Sequence, residues 1–107
     1  MKIATWNLYR PKISSAKNVE IIEEIKRVDA DILVLTETNM VINPGEEYTP
    51  VSSDPFPIPG PYRYTLGENE TTIWSKYPLS PIKTSDPSIS VCAKIKTPHG
   101  DLNVYGT

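Results

Sequence analysis

The residues Ile32-Leu-Val-Leu35 are apolar without interruption, and an amphipathic segment leads into them. A strand exposed on one side alternates apolar and polar side chains, whereas an unbroken apolar run needs cover on both faces. In the preceding stretch, Asn18 to Val28, the residues Ile21, Ile22, Ile25 and Val28 recur at three- and four-residue steps. Glu20, Glu23, Glu24, Lys26 and Arg27 fill the opposite face, which is the pattern of a surface helix. Glu23 and Arg27 stand four apart in the order that favours an ion pair, and Ser14-Ser15 offers hydroxyls to cap the helix start. Lys2 to Leu8 is a short run of strand formers. The first 37 residues therefore read strand, helix, strand, which predicts a parallel pair with a right-handed crossover.

Beyond this unit the chain changes character. Eleven prolines stand against five glycines, and most of them fall between Pro44 and Pro87. Asn39 to Pro61 reads as loop, and a structureless loop of that length in a compact domain is often functional. Tyr62 to Leu66, with Tyr62 and Tyr64 on one face, and Glu70 to Ser75 read as strands around a Gly67-Glu68-Asn69 turn. Pro81 to Thr84 suits a short edge strand. In Ile89 to Lys96, Ile89, Val91, Ala93 and Ile95 alternate with Ser90, Cys92, Lys94 and Lys96. Pro98-His99-Gly100-Asp101 makes a turn into a last strand, Leu102 to Tyr105. The expected fold class is α/β, an α+β mixed sheet in which one βαβ unit precedes an antiparallel meander and a helix covers one face. At 107 residues one domain is expected.

A net charge of −2 and a pI near 5.3 argue against nucleic-acid binding through an exposed polybasic surface. They leave room for an enzyme that meets phosphate through a metal ion, which brings its own positive charge. Cys92 is a single cysteine in an apolar run, read as a buried free thiol in a reducing compartment. No stretch approaches the roughly 20 apolar residues of a membrane span, and Met1-Lys2 leads directly into a structural strand rather than a signal peptide. The expected location is cytoplasmic.

Parallel neighbouring strands end at the same edge of a sheet, where open α/β sheets place their ligands. The first strand ends at Trp6-Asn7-Leu8 and the second at Thr36-Glu37-Thr38-Asn39. With strands about 5 Å apart, Asn7 and Glu37 converge if the register is level. A carboxylate beside an amide oxygen suits Mg²⁺ or Mn²⁺, while the absence of a His or Cys cluster argues against zinc. The competing reading is that these polar residues satisfy loop backbone groups. Arg10 and Lys12 follow the Asn7 strand and are candidates for phosphate contact. Trp6 and Trp74 read as core, Glu46 and Glu47 as solvated loop charges, and His99 as a turn residue. Asp101-Leu-Asn103 is read as a chance Asp-x-Asn match.

Three segments carry a family resemblance. Met1-Lys-Ile-Ala-Thr-Trp-Asn-Leu8 resembles the opening strand of the endonuclease/exonuclease/phosphatase superfamily, which includes exonuclease III-like and deoxyribonuclease I-like enzymes. Asp29-Ala-Asp-Ile-Leu-Val-Leu-Thr-Glu37 resembles its second strand, and Ile73-Trp-Ser-Lys-Tyr-Pro-Leu79 a third segment. The resemblance implies the N-terminal half of a four-layer α/β/β/α sandwich that hydrolyses phosphate esters with Mg²⁺ or Mn²⁺. It implies Glu37 as the metal ligand, with Asn7 in the same site.

The family's later pieces, an Asp-x-Asn segment and a final Asp-His pair, have no counterpart in the 107 residues. The chain is therefore expected to be a single truncated domain, 1–107, inactive alone. A non-catalytic binding or assembly domain on the same scaffold is the alternative. Half of such a sandwich is expected to expose an apolar sheet face, and so to pair with itself or with a missing C-terminal portion. The expected substrate is a phosphate ester, with nucleic acid among the candidates.

Overall fold

The computed structural model describes residues 1–55 and 67–107. In chain order the elements are β1 (Ile3–Asn7), α1 (Lys17–Val28), β2 (Ile32–Asn39), β3 (Thr49–Ser52), β4 (Glu68–Ser75), β5 (Leu79–Ile82), β6 (Val91–Thr97) and β7 (Gly100–Gly106). β1 and β2 pair in parallel, Ile3 opposite Ile32 through Asn7 opposite Thr36. This is the expected βαβ unit.

β4 adds antiparallel to the other edge of β2, and β3 antiparallel to β4, giving a sheet of order β1-β2-β4-β3. β5, β6 and β7 form a separate antiparallel sheet. The meander thus leaves the mixed sheet and stacks on it, making helix, sheet and sheet three successive layers. β3 lies inside the stretch read as loop, because Pro50 hid it. As an edge strand on β4 it tolerates a proline, which cannot donate to a ladder on its open side. Glu68 and Asn69 begin β4 rather than forming a turn, and the strand expected at Tyr62–Leu66 lies outside the described residues.

Two cores meet on β2. Ile32 and Val34 face Ile73, Val91, Ala93 and Ile95 between the sheets. Leu33 and Leu35 pack with Leu8, Ile25 and Ile42 beneath α1. The helix buries the expected stripe, with Ile25 enclosed and Ile21 and Ile22 half-buried. Its ion pair joins Arg27 to Glu24 instead of Glu23. The Ser15 hydroxyl accepts from the Lys17 backbone N–H at 3.2 Å. The helix ends at Asp29 in a left-handed conformation, φ 50°, whose N–H returns to the Ile25 carbonyl. Lys76 bonds the Asp29 carboxylate at 2.6 Å and holds it below the usual carboxylate range, chiefly through that hydrogen bond.

Trp6 is 38% exposed rather than core, because β1 is an edge strand. Trp74 packs against the helix-side core as expected. Cys92 is half-buried, on the outer face of the second sheet, opposite Tyr105. That face also carries Lys94, Lys96, Asp101 and Asn103, all exposed, beside the exposed Ile82 and Tyr105, so among the described residues it is mixed rather than the bare apolar face expected. The sheets already cover one another. Apolar exposure also runs along the β1 edge, where Ile3 is 51% exposed.

Where β7 ends, Gly106 lies against the first sheet. A Cβ there would stand 2.8 Å from Thr71 Cγ2 and 2.9 Å from Val34 Cγ1. Thr71 cannot easily rotate away, because its hydroxyl donates to the Ile89 carbonyl at 2.9 Å. Gly106→Ala is therefore expected to destabilise the fold by about 1–3 kcal/mol, read as a lower urea midpoint. An unchanged midpoint would show that the sheets separate without strain.

Candidate functional site

The carboxyl ends of β1 and β2 meet at one edge of the mixed sheet. Past Asn7 the chain stays attached to β2, since Leu8 N–H donates to Thr36 O at 2.9 Å and Arg10 N–H to Glu37 O at 3.0 Å. Asn7 is level with Thr36, one residue short of Glu37, and its Oδ1 accepts the Tyr9 N–H at 3.0 Å. That turn places Tyr9 and Arg10 in left-handed conformations, φ 66° and 57°. Glu37 is left-handed too, φ 50°. Left-handed backbone costs a non-glycine residue about 1–2 kcal/mol. Such strain persists only where neighbouring contacts fix it, and it concentrates at functional sites.

Those fixing contacts come from two buried amides. Asn18, at the start of α1, is 3% exposed and Asn39, at the end of β2, is 2% exposed. Asn39 Nδ2 donates to Pro11 O at 2.8 Å and to Asn18 Oδ1 at 3.3 Å. Asn18 Nδ2 donates to Lys12 O at 2.9 Å and Ile13 O at 3.2 Å. The loop bearing Tyr9, Arg10 and Lys12 is thereby clamped between helix and strand. Sequence reading took Asn39 for the start of a loop and missed this clamp.

Both candidate phosphate contacts are engaged with carboxylates. Arg10 lies between two of them, Nε 3.5 Å from Glu37 Oε2 and Nη2 3.5 Å from Glu70 Oε2. Lys12 Nζ lies 3.1 Å from Glu68 Oε1, a carboxylate with only 3% of its side chain exposed. Glu68 and Glu70 were not singled out from the sequence. The usable signal was two glutamates at alternate positions leading into a strand, where glutamate is depleted.

The donor chemistry here suits a hard cation, because Glu37 and Asn7 offer oxygen ligands. Mg²⁺ commonly takes one or two protein carboxylates and leaves its other positions to water and phosphate. Among the described residues no group of three or more His, Cys, Asp and Glu is arranged to hold a metal. His99 sits exposed in the β6–β7 turn, its N–H on the Thr97 hydroxyl, and Asp101 faces Lys94 at 3.5 Å. Neither belongs to this edge. Glu46 and Glu47 are exposed, as expected.

The sequence model of the Endonuclease/Exonuclease/phosphatase family matches residues 4–105. Among solved structures, the endonuclease domain of TRAS1, a telomere-specific non-LTR retrotransposon, is similar in fold, with a TM-score of 0.57 at 14% identity. That match covers 98% of this chain and 44% of the other, so the chain spans less than half of that domain. No curated protein matches it.

Asn39→Leu removes the donor that serves Pro11 O and Asn18 Oδ1 inside the protein. A loss of about 1–3 kcal/mol is expected for such unpaired buried groups, measured by chemical denaturation. Amide exchange at Arg10 should rise with it; exchange that stays at the wild-type rate would mean the loop is held by other contacts.

Proposed function

The chain belongs to the endonuclease/exonuclease/phosphatase family, and we propose that it carries the Glu37 end of a phosphoesterase site that works with Mg²⁺ or Mn²⁺. The observation that carries this reading is Glu37 itself, held in a strained left-handed conformation at the sheet edge where α/β folds bind ligands. Glu37 would hold the cation, with Asn7 beside it on the neighbouring strand end. A bound divalent cation neutralises charge on a phosphate and makes water a better nucleophile. Arg10 and Lys12, on the clamped loop, are placed to orient a phosphate, since phosphoryl transfer is catalysed mainly by positioning and charge.

A nucleic-acid phosphodiester is the proposed substrate. Tyr9 supports it, because a ring 88% exposed between Asn7 and Arg10 offers a stacking surface to a base. The negative overall charge makes the cation the main source of attraction. A cytoplasmic location is proposed on the single unpaired Cys92. Among the described residues no helix is long and apolar enough to cross a membrane.

Glu37 with one amide neighbour binds a cation weakly, and the described residues bring no histidine to this edge. The chain alone is therefore proposed to be weak or silent. Incubation with supercoiled plasmid and Mn²⁺ is expected to give little or no nicking, and any nicking seen should vanish in Glu37→Gln. Robust cleavage that survives this substitution would sink the reading. A non-catalytic binding or assembly role is the second reading, favoured by the ion pairs that already occupy Arg10 and Lys12. DNA binding that ignores both Mn²⁺ and Glu37→Gln would support it.

The exposed apolar side chains of the β1 edge, Ile3 and Trp6, support pairing with a second copy or with a C-terminal portion. Light scattering at tens of micromolar is expected to give a mass above 12.0 kDa for the chain by itself. A monodisperse monomer counts against self-pairing.

A further inference from the structure

β2 and β4 bring two carboxylates face to face. Thr36 pairs with Thr71 and Thr38 with Asn69, so Glu37 and Glu70 fall between these flanking pairs, Glu37 in its left-handed conformation. Like charges brought to one guanidinium repel one another, and a half-buried position screens them less than open water does. A cation between them relieves that repulsion. The guanidinium of Arg10 occupies this place, 3.5 Å from each carboxylate. Neither distance is that of a close charge-assisted hydrogen bond, which runs near 2.7–2.9 Å. The guanidinium thus spans the two carboxylates.

Two further features make the arrangement exchangeable. The backbone of Arg10 is fixed, by its N–H on Glu37 O at 3.0 Å and by the amide clamp beyond it. Its side chain is 38% exposed, against 24% for Glu37 and 17% for Glu70. The head group is thus more exposed than either carboxylate, and Glu70 lies within its reach.

We propose that Arg10 is the resident counter-ion of Glu37, and that a divalent cation binds there by displacing the guanidinium onto Glu70. Glu70 is then a positioning residue, acting on the metal site through Arg10. The inference rests on the metal reading of Glu37 given above. It adds a competition internal to the chain, in which the same arginine opposes cation binding at Glu37 and, once moved, stands beside the bound ion where a phosphate would enter.

The test is an Mn²⁺ titration of the intact chain followed by electron paramagnetic resonance, which counts free ion and needs no turnover. Arg10→Met is expected to bind Mn²⁺ roughly two- to fivefold more tightly, the range that partly exposed ion pairs deliver. Glu70→Gln removes one of the carboxylates that share the guanidinium, concentrates it on Glu37 and should weaken binding by a similar factor. The double variant decides how Glu70 acts. If it acts through Arg10, the double variant binds like Arg10→Met; if it binds weaker than Arg10→Met, Glu70 touches the ion directly and the proposal is overturned. Unchanged or weaker binding by Arg10→Met overturns it as well. Glu37→Gln separates the premise from the inference: binding lost there, with Arg10→Met unaltered, removes only the competition. Binding indifferent to Glu37→Gln, or none by any variant, removes both. Thermal melts of each variant show whether it is folded, and Arg10→Lys, which keeps the charge, should stay near wild type if Arg10→Met proves unstable.

Discussion

The strand Ile32–Asn39 has no face that can be left to water. Leu33 and Leu35 need the helix on one side, while Ile32 and Val34 need the second sheet on the other. Each such side chain stabilises the fold by about 1.5–3 kcal/mol when buried, so the chain is driven to supply two covers for one strand. The helix comes from the crossover that makes β1 parallel to β2. The second cover is the β5–β7 meander, brought down closely enough that only a glycine fits at position 106. The layered order of the molecule follows from that double demand.

The candidate site inherits its shape from the same strand. β2 runs on past its apolar half into Thr36-Glu37-Thr38-Asn39, where Glu37 pairs with Arg10 and Asn39 turns to hydrogen bonding. Asn39 reaches back to the Asn18 amide and the Pro11 carbonyl, so the loop after β1 is held by the strand it neighbours. Glu37 sits between the core and this clamp in a conformation it would not choose in isolation. Strain, buried amides and paired charges lie within a few residues of one another, and each is explained by the others: the clamp fixes the loop, the loop presents Arg10, and Arg10 neutralises facing carboxylates.

How much of this was legible in the sequence depends on the range of the interaction. The βαβ unit could be read because its signals are local: helical spacing of Ile21, Ile22, Ile25 and Val28, and the unbroken run after Asp31. The alternation of Val91, Ala93 and Ile95 gave β6 for the same reason. Asn7 and Glu37 could be placed at neighbouring strand ends because strand ends follow from strand positions. Glu68 and Glu70 could not, because their meaning comes from standing across a ladder from residues some thirty positions earlier. Trp6 was misplaced because an apolar strand residue looks the same whether its strand is central or at the edge. β3 was hidden by Pro50, whose position matters only once β4 is known to lie on its other side.

β2 and β4 are hydrogen-bonded neighbours in space, yet the whole segment between Asn39 and Glu68 separates them along the chain. The core between the sheets is incomplete until that pair has formed, because Ile73 of β4 lies in it beside Ile32 and Val34 of β2. Bringing the ends of a long segment together is an entropic cost met before any contact repays it, and chains dominated by such distant pairings fold slowly. Until they join, the apolar run of β2 has the helix that its own crossover supplies but lacks β4 along its other edge. The distance along the chain between these two strands therefore bears on how long the open edge of β2 stays available to wrong partners.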